Sequence, residues 1–293
     1  MKPVFAILGA GRLGSALGRV LLRSGLRPAG ISCRTMRSAR RAVRFIGGGA
    51  PATSNGRAAT GAGMVLICTP DRAVAEVASD LAGSPELRWR GVVVAHTSGA
   101  LASTLLQPVA ARGALVASLH PLASIADPKG GLLRLRGIPF AVEGDPRAVR
   151  FLRRLVAGLG GVPVAIPREA KALYHLIAVL LSNDLVAYLD LGLRAAEGLG
   201  LTRREAARLY LPLVRGTLEN VARLGPARAL TGPVSRGDLA TLRLHGEALR
   251  ALPADLRRLH RMLGQRSATL ALEAGTITPE TAARLARTLS SLP

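Results

Sequence analysis

Lys171, His175, Ala178 and Ser182 recur at spacings of four, three and four, which returns them to one stripe of a helix within about 40°. Asn183 lies on the shoulder of that stripe. Lysine occurs only at Lys2, Lys129 and Lys171, so 37 of the 40 basic residues are arginine. A lysine on an apolar helix face in such a chain points to an ammonium that gives up a proton, which a guanidinium does not do. Lys171 is therefore a candidate proton donor to a carbonyl or imine, with His175 and Asn183 as orienting groups. The competing reading is a surface lysine near a helix start and a hydrogen-bonded core histidine.

A proton donor of this kind needs a hydride source, and the N-terminal stretch VFAILGAGRLGSALGRVLL predicts its site. An apolar strand, Val4 to Leu8, runs into the turn Gly9-Ala10-Gly11-Arg12-Leu13-Gly14 and then into an amphipathic helix. Gly9 permits the sharp turn, Gly11 lets a pyrophosphate approach the backbone, and Gly14 lets the helix pack on the strand. The amides of Arg12 and Leu13 at the helix start suit the phosphates. At the end of the second strand no acid is present to bind a ribose 2′-hydroxyl. Arg34 and Thr35 stand there instead and suit a 2′-phosphate, which predicts NADP(H) over NAD. The alternatives are that these arginines are merely solvated, or that a deazaflavin occupies the turn.

The elements that would hold these groups alternate. Strands are expected at Val4 to Leu8, Ala29 to Cys33, Gly63 to Cys68, Gly91 to Ala95, Val116 to Leu119, Ile138 to Val142 and Val162 to Ile166, with helices between. That pattern is α/β, a Rossmann-type doubly wound parallel sheet. Ligands of such sheets bind beyond the strand C-termini, so Thr69, Pro70, Ser98, Gly99 and His120 should line one crevice. Beyond Pro167 only helices are expected, beginning with one from Arg168 to about Leu199. The division is thus a nucleotide-binding domain over 1–166 and an all-helical substrate and dimerisation domain over 167–293. In the latter, Thr231 and Arg236 on the loop LTGPVSRGD are candidates to hold an acidic substrate group; a helix-to-helix turn capped by Asp238 is the alternative.

Bulk composition narrows the partners. A net charge of +22 raises the question of nucleic acid, but the arginines are scattered and only seven Phe and Tyr residues plus Trp89 are available for stacking, which favours a solvated basic surface. No run of eighteen residues lacks a polar interruption, so no membrane span is expected. Met1-Lys2-Pro3 leads straight into the first strand, which predicts no signal peptide. Cys33 and Cys68 make no metal or disulfide pattern and read as reduced residues of a cytoplasmic protein.

The stretches GAGRLGSAL, ICTPD, HTSGAL, SLHPL, GIPFAVEGD, KALYH with SND, and LTGPVSRGDLATLRLH carry a family resemblance. The chain resembles the superfamily of 6-phosphogluconate dehydrogenase, β-hydroxyacid dehydrogenases, ketopantoate reductase and pyrroline-5-carboxylate reductase. More closely, it is similar to bacterial proteins that pair a Rossmann-like domain with a helical domain of unknown function. The resemblance implies that Arg34 and Thr35 bind the 2′-phosphate, that Ser98 and Gly99 form a substrate loop, and that Lys171 matches the catalytic lysine of the hydroxyacid dehydrogenases. Those enzymes commonly carry Asn four residues after the lysine, where this chain has His175. The expected activity is NADPH-dependent reduction of a small 2-oxo acid resembling ketopantoate, or of a cyclic imine. The alternative is an NADP-binding sensor or partner-binding protein without turnover. Long apolar helix faces suggest a homodimer.

Overall fold

The computed structural model describes residues 4–293, and the chain divides into two compact units, Met1–Asn183 and Asp184–Pro293. The first is built on β1 (Val4–Leu8), β2 (Arg27–Ser32), β3 (Ala50–Ala52), β4 (Met64–Ile67), β5 (Val93–His96), β6 (Leu115–Pro121), β7 (Pro139–Gly144) and β8 (Val162–Ala165). They form one sheet in the order β3-β2-β1-β4-β5-β6-β7-β8. The helices of this unit are α1 (Arg12–Arg23), α2 (Met36–Ile46), α3 (Asn55–Ala59), α4 (Val74–Gly83), α5 (Gln107–Ala110), α6 (Pro128–Arg134), α7 (Pro146–Gly158) and the first half of α8 (Lys171–Ala195).

Strand periodicity divides the core. Phe5 and Ile7 of β1, Met64 and Leu66 of β4, and Val93 and Ala95 of β5 face one side, where Leu17, Leu21, Ile46, Leu152 and Val156 of α1, α2 and α7 cover them. Their neighbours Ala6, Leu8, Val65, Ile67 and Val94 face the other, under Val74, Val77, Leu81 and Val109 of α4 and α5. Successive strand residues point to opposite faces, so a sheet with helices on both sides needs the continuous apolar runs this chain supplies.

Two features depart from the sequence expectation. β3 is an additional edge strand, whose Ala50-Pro51-Ala52 has no apolar run and which forms through parallel pairing to Gly30–Ser32 of β2; proline is tolerated at such an edge. The sheet is also not parallel throughout, because β7 runs antiparallel to β6, with Pro121 opposite Phe140 and Ala117 opposite Gly144. Between them the chain makes only the short α6, where Gly131 packs so closely on Ala16 of α1 that an added Cβ would lie 2.8 Å from its methyl. The chain therefore re-enters the sheet at the end it left, without the crossover a parallel neighbour requires.

The division between units falls inside α8 rather than at the last strand, because the first turns of this helix are tied to the sheet unit through Lys171 and Tyr174. The stretch Arg168–Leu199 is also, by length and composition, apolar enough to cross a membrane, with a mean hydropathy of 1.7. That qualifies the expectation drawn from its polar interruptions. One of those interruptions, Lys171, is 2% exposed and hydrogen-bonded to two residues of the sheet unit, a tie that insertion into lipid would break.

The second unit continues α8 and adds α9 (Arg203–Leu224), α10 (Pro226–Ala229), α11 (Leu239–Leu249), α12 (Ala254–Glu273) and α13 (Pro279–Ser290). Its core is Leu242, Leu249, Ala268, Leu285, Leu289 and Leu292. The helix starts follow their caps. Thr202 and Glu205 form a reciprocal capping box on α9, and Thr278 accepts from Thr281 N ahead of Pro279 on α13, each satisfying amides that have no partner within the helix.

Candidate functional site

The glycine turn adopts the geometry its sequence requires. Gly9 has φ +84°, and a Cβ there would lie 2.7 Å from Thr69 Cγ2. A Cβ on Gly14 would lie 2.8 Å from the Gly9 carbonyl and 3.1 Å from Ile7 Cγ2, so α1 packs on β1 only because glycine stands there. Gly11 is the opposite case, with nothing within 4 Å of a Cβ position. It caps α1 without a side-chain hydrogen bond, and the first turn carries no acid. An exposed backbone at a helix N-terminus is the environment a pyrophosphate needs. Beside it, Thr69 Oγ1 is buried without a hydrogen-bond partner, and buried hydroxyls are normally satisfied. Open space over Gly11, an unsatisfied hydroxyl and uncapped amides fit a dinucleotide phosphate.

Arg34 is exposed just past the end of β2, and Arg12 is exposed at the start of α1, while Leu13 is half-buried against the core. Thr35 caps α2, its Oγ1 accepting from Ser38 N at 3.2 Å. Pro70 leads into the turn that carries Asp71.

At the C-terminal ends of β5 and β6 the first unit gathers a polar cluster. Ser98 is its hub. Its N–H donates to His96 Nδ1 at 3.2 Å, its hydroxyl donates to Asp71 Oδ2 at 2.8 Å, and its carbonyl accepts from Ser118 Oγ at 3.2 Å and from Lys171 Nζ at 3.0 Å. Lys171 Nζ also donates to Ser118 Oγ at 2.6 Å. Burial pushes the Lys171 ammonium below the usual lysine range, while Glu143 and Asp71 oppose the shift. A buried ammonium is tolerable when its protons are matched by oxygen acceptors.

Beside Lys171, His120 Nδ1 lies 2.9 Å from Tyr174 Oη, with the two rings edge to face at 5.6 Å. Burial first, then the charges of Lys171 and His175, depress His120 to a pKa of about 4. A Cβ on Gly99 would lie 2.5 Å from His175 Cδ2 and 3.0 Å from His120 Nε2, so the two imidazoles close over this residue. His120, Tyr174, His175, Ser124, Ser182 and Asn183 supply the polar wall of a cavity of about 540 Å³; Leu122, Ile125, Ile177 and Leu181 are among its apolar lining. The wall contains no Arg, Lys, Asp or Glu among the described residues.

The structure thus brings Ser98, Gly99, His120, Lys171, His175 and Asn183 together in one unit. Thr231 and Arg236 belong to the second, where the Val234–Arg236 turn precedes Gly237 at φ +69° and Asp238 caps α11 by accepting from Thr241 N. Sequence reasoning missed Tyr174, Ser118, Asp71 and Glu143. Tyr174 had a signal, since it lies three residues from Lys171 on one helix face. Glu143 had none. Its buried carboxylate accepts from Ser103 N at 2.6 Å and Ser103 Oγ at 2.9 Å, tying down the chain that follows Ser98.

Residues 3–121 match the family model of a Rossmann-like domain, and residues 138–267 match that of the domain of unknown function DUF2520. No curated protein matches the chain in sequence. Among solved structures, protein TM1727 of Thermotoga maritima is 26% identical with a TM-score of 0.62, covering 97% of this chain and 98% of that one. A Bacteroides fragilis protein named as a candidate NADP oxidoreductase is 21% identical with a TM-score of 0.71, over 92% of this chain and 98% of its own. The reductive aminase of Aspergillus terreus, in complex with NADPH and ethyl levulinate, is 18% identical with a TM-score of 0.64 over 100% of each chain. At these identities the last two likenesses establish the fold.

Proposed function

We propose that this chain, which belongs to the proteins that join a Rossmann-like domain to the domain of unknown function DUF2520, is an NADPH-dependent reductase of a small C=N or C=O compound. The single observation that carries the reading is the juxtaposition of a phosphate-ready glycine turn with a proton-bearing polar cavity beyond the same set of strand ends. The names of two structural relatives, an NADP oxidoreductase and a reductive aminase, point the same way. Bound NADPH would supply the hydride. Gly9, Gly11, Arg12, Leu13 and Gly14 would hold the pyrophosphate, Thr69 and Pro70 its inner end, and Arg34 and Thr35 the 2′-phosphate.

The cavity wall favours a cyclic imine over a 2-oxo acid. A carboxylate substrate calls for a cationic clamp, and the wall offers none among the described residues. Ser98 and Gly99 shape the inner end of the cavity cluster, while His175 and Asn183 orient the substrate from its wall. Lys171 acts from behind, fixing the Ser98 carbonyl and Ser118 and disfavouring charge on His120. Loss of NADPH absorbance with methylpyrroline, dihydroisoquinoline, cyclohexanone, pyruvate and ketopantoate tests the reading. Turnover of a neutral imine or ketone supports it. NADPH binding without turnover of any of the five would favour the sensor.

A homodimer completes the proposal. Leu173 and Leu181 of α8 are 60% and 74% exposed, and Leu209 and Leu213 of α9 are exposed as well; apolar faces of this extent mark association surfaces. A second copy covering them predicts sedimentation at twice the chain mass of 30.5 kDa, and a monomer at micromolar concentration would contradict it. Both cysteines are free, in keeping with the proposed reducing cytoplasmic location.

A further inference from the structure

We propose that Tyr174 is the catalytic residue that protonates the substrate, with His120 behind it as the group that restores its proton. The inference rests on the reductase reading above. Among the groups on the cavity wall, the hydroxyls of Ser124 and Ser182 and the amide of Asn183 are far weaker acids than a phenol, and burial raises the Tyr174 hydroxyl above its ordinary value, which keeps its proton in place until substrate takes it. His120 is uncharged near neutral pH, because burial and the Lys171 charge disfavour its imidazolium. Tyr174 and His175 remain. Of these two, Tyr174 alone among the described residues is hydrogen-bonded to a second titratable side chain, with Oη 2.9 Å from His120 Nδ1.

Lys171 is the competing donor, and its geometry argues for a positioning role. Its side chain is 2% exposed, and two of its three N–H bonds point to Ser98 O and Ser118 Oγ. The Lys171 charge instead keeps His120 in the neutral form, able to accept a proton at one ring nitrogen as it releases one at the other.

The substrate carbon gains the hydride of the reduced nicotinamide and the π pair of C=N or C=O moves to the heteroatom. The Tyr174 O–H bond breaks, and its proton forms the new N–H or O–H bond. The phenolate then takes the proton of His120 Nδ1 while Nε2 takes one from solvent. One NADPH and one proton are consumed for each bond reduced.

Tyr174→Phe removes one hydroxyl from a half-buried ring, so folding and NADPH affinity should persist. The expected result is a fall in kcat of about 100-fold or more on an imine that wild type reduces, with the NADPH Kd unchanged and Tm lowered only by the loss of one hydrogen bond to His120. His120→Gln keeps a hydrogen-bonding partner for Tyr174. It should lower kcat by a smaller factor at constant KM and move the alkaline limb of the kcat–pH profile, which a merely structural role would leave in place. A Tyr174→Phe enzyme within twofold of wild-type kcat overturns the donor assignment and leaves the reductase reading standing. An unmoved alkaline limb in His120→Gln overturns the relay. Failure of wild type to oxidise NADPH with any substrate of the panel overturns the reductase reading and this inference with it.

Discussion

Acidification should destabilise this protein in part through His120, and one substitution removes that part. The folded chain holds this imidazole at about 4 against an ordinary value of 6.5. Because the folded value is depressed, the unfolded chain binds the proton first. The contribution of His120 to stability is therefore fully present above about pH 6.5, is lost as pH falls toward about 4, and stays lost below that. Each unit of difference is worth about 1.4 kcal/mol, so the full loss is roughly 3 kcal/mol, and between about 2 and 3 kcal/mol has gone by about pH 4.5. In a chain of this size that corresponds to a drop in Tm of about 5–10 °C. His96 and His260 are also depressed by burial and add to the acid slope, so the comparison is with His120→Asn, which has no charge to gain. The variant starts lower at about pH 7.5, having lost the contact to Tyr174, but should fall less steeply on acidification. Thermal unfolding of both proteins across that range is the assay. Parallel loss of Tm in wild type and variant would refute the reasoning that burial and Lys171 hold His120 neutral.

Three further outcomes follow from the same geometry. Gly99→Ala would place a methyl against His175 and His120, and the overpacking should cost about 1–3 kcal/mol, read as a lower denaturation midpoint. Glu143→Gln replaces one of two acceptor oxygens facing Ser103 with an amide donor. Leaving a buried donor unmatched should cost about 1–3 kcal/mol, and chemical denaturation measures it. Arg34→Ala should weaken NADPH binding about tenfold with NADH unaffected, since only the former carries a 2′-phosphate; calorimetric titration distinguishes the two.

Local periodicity and turn chemistry made much of this architecture legible. Seven of the strands, the Gly9 to Gly14 turn and the Lys171 stripe each follow from residues close in sequence, where strand alternation and helical spacing act directly. What escaped depends on pairing between distant segments. β3 exists only because β2 offers it an edge, and β7 turns antiparallel because α6 is short and docks on α1. The same limit applies to the site. Lys171, His175 and Asn183 announce themselves on one helix, whereas the bond between His120 and Tyr174 spans 54 residues, and no local pattern encodes it. Glu143 looks like any strand-end acid until Ser103 meets it across 40 residues.

Thermal unfolding of the chain with NADPH, with NADH, and with neither tests whether the glycine turn and Arg34 serve NADPH. Nucleotide at about 100 times its dissociation constant should add roughly 2.7 kcal/mol to the folded state. NADPH should raise Tm, NADH at equal concentration should raise it less, and Arg34→Ala should remove the difference. Equal shifts with both nucleotides would contradict the 2′-phosphate assignment, and no shift with either would contradict the nucleotide site itself.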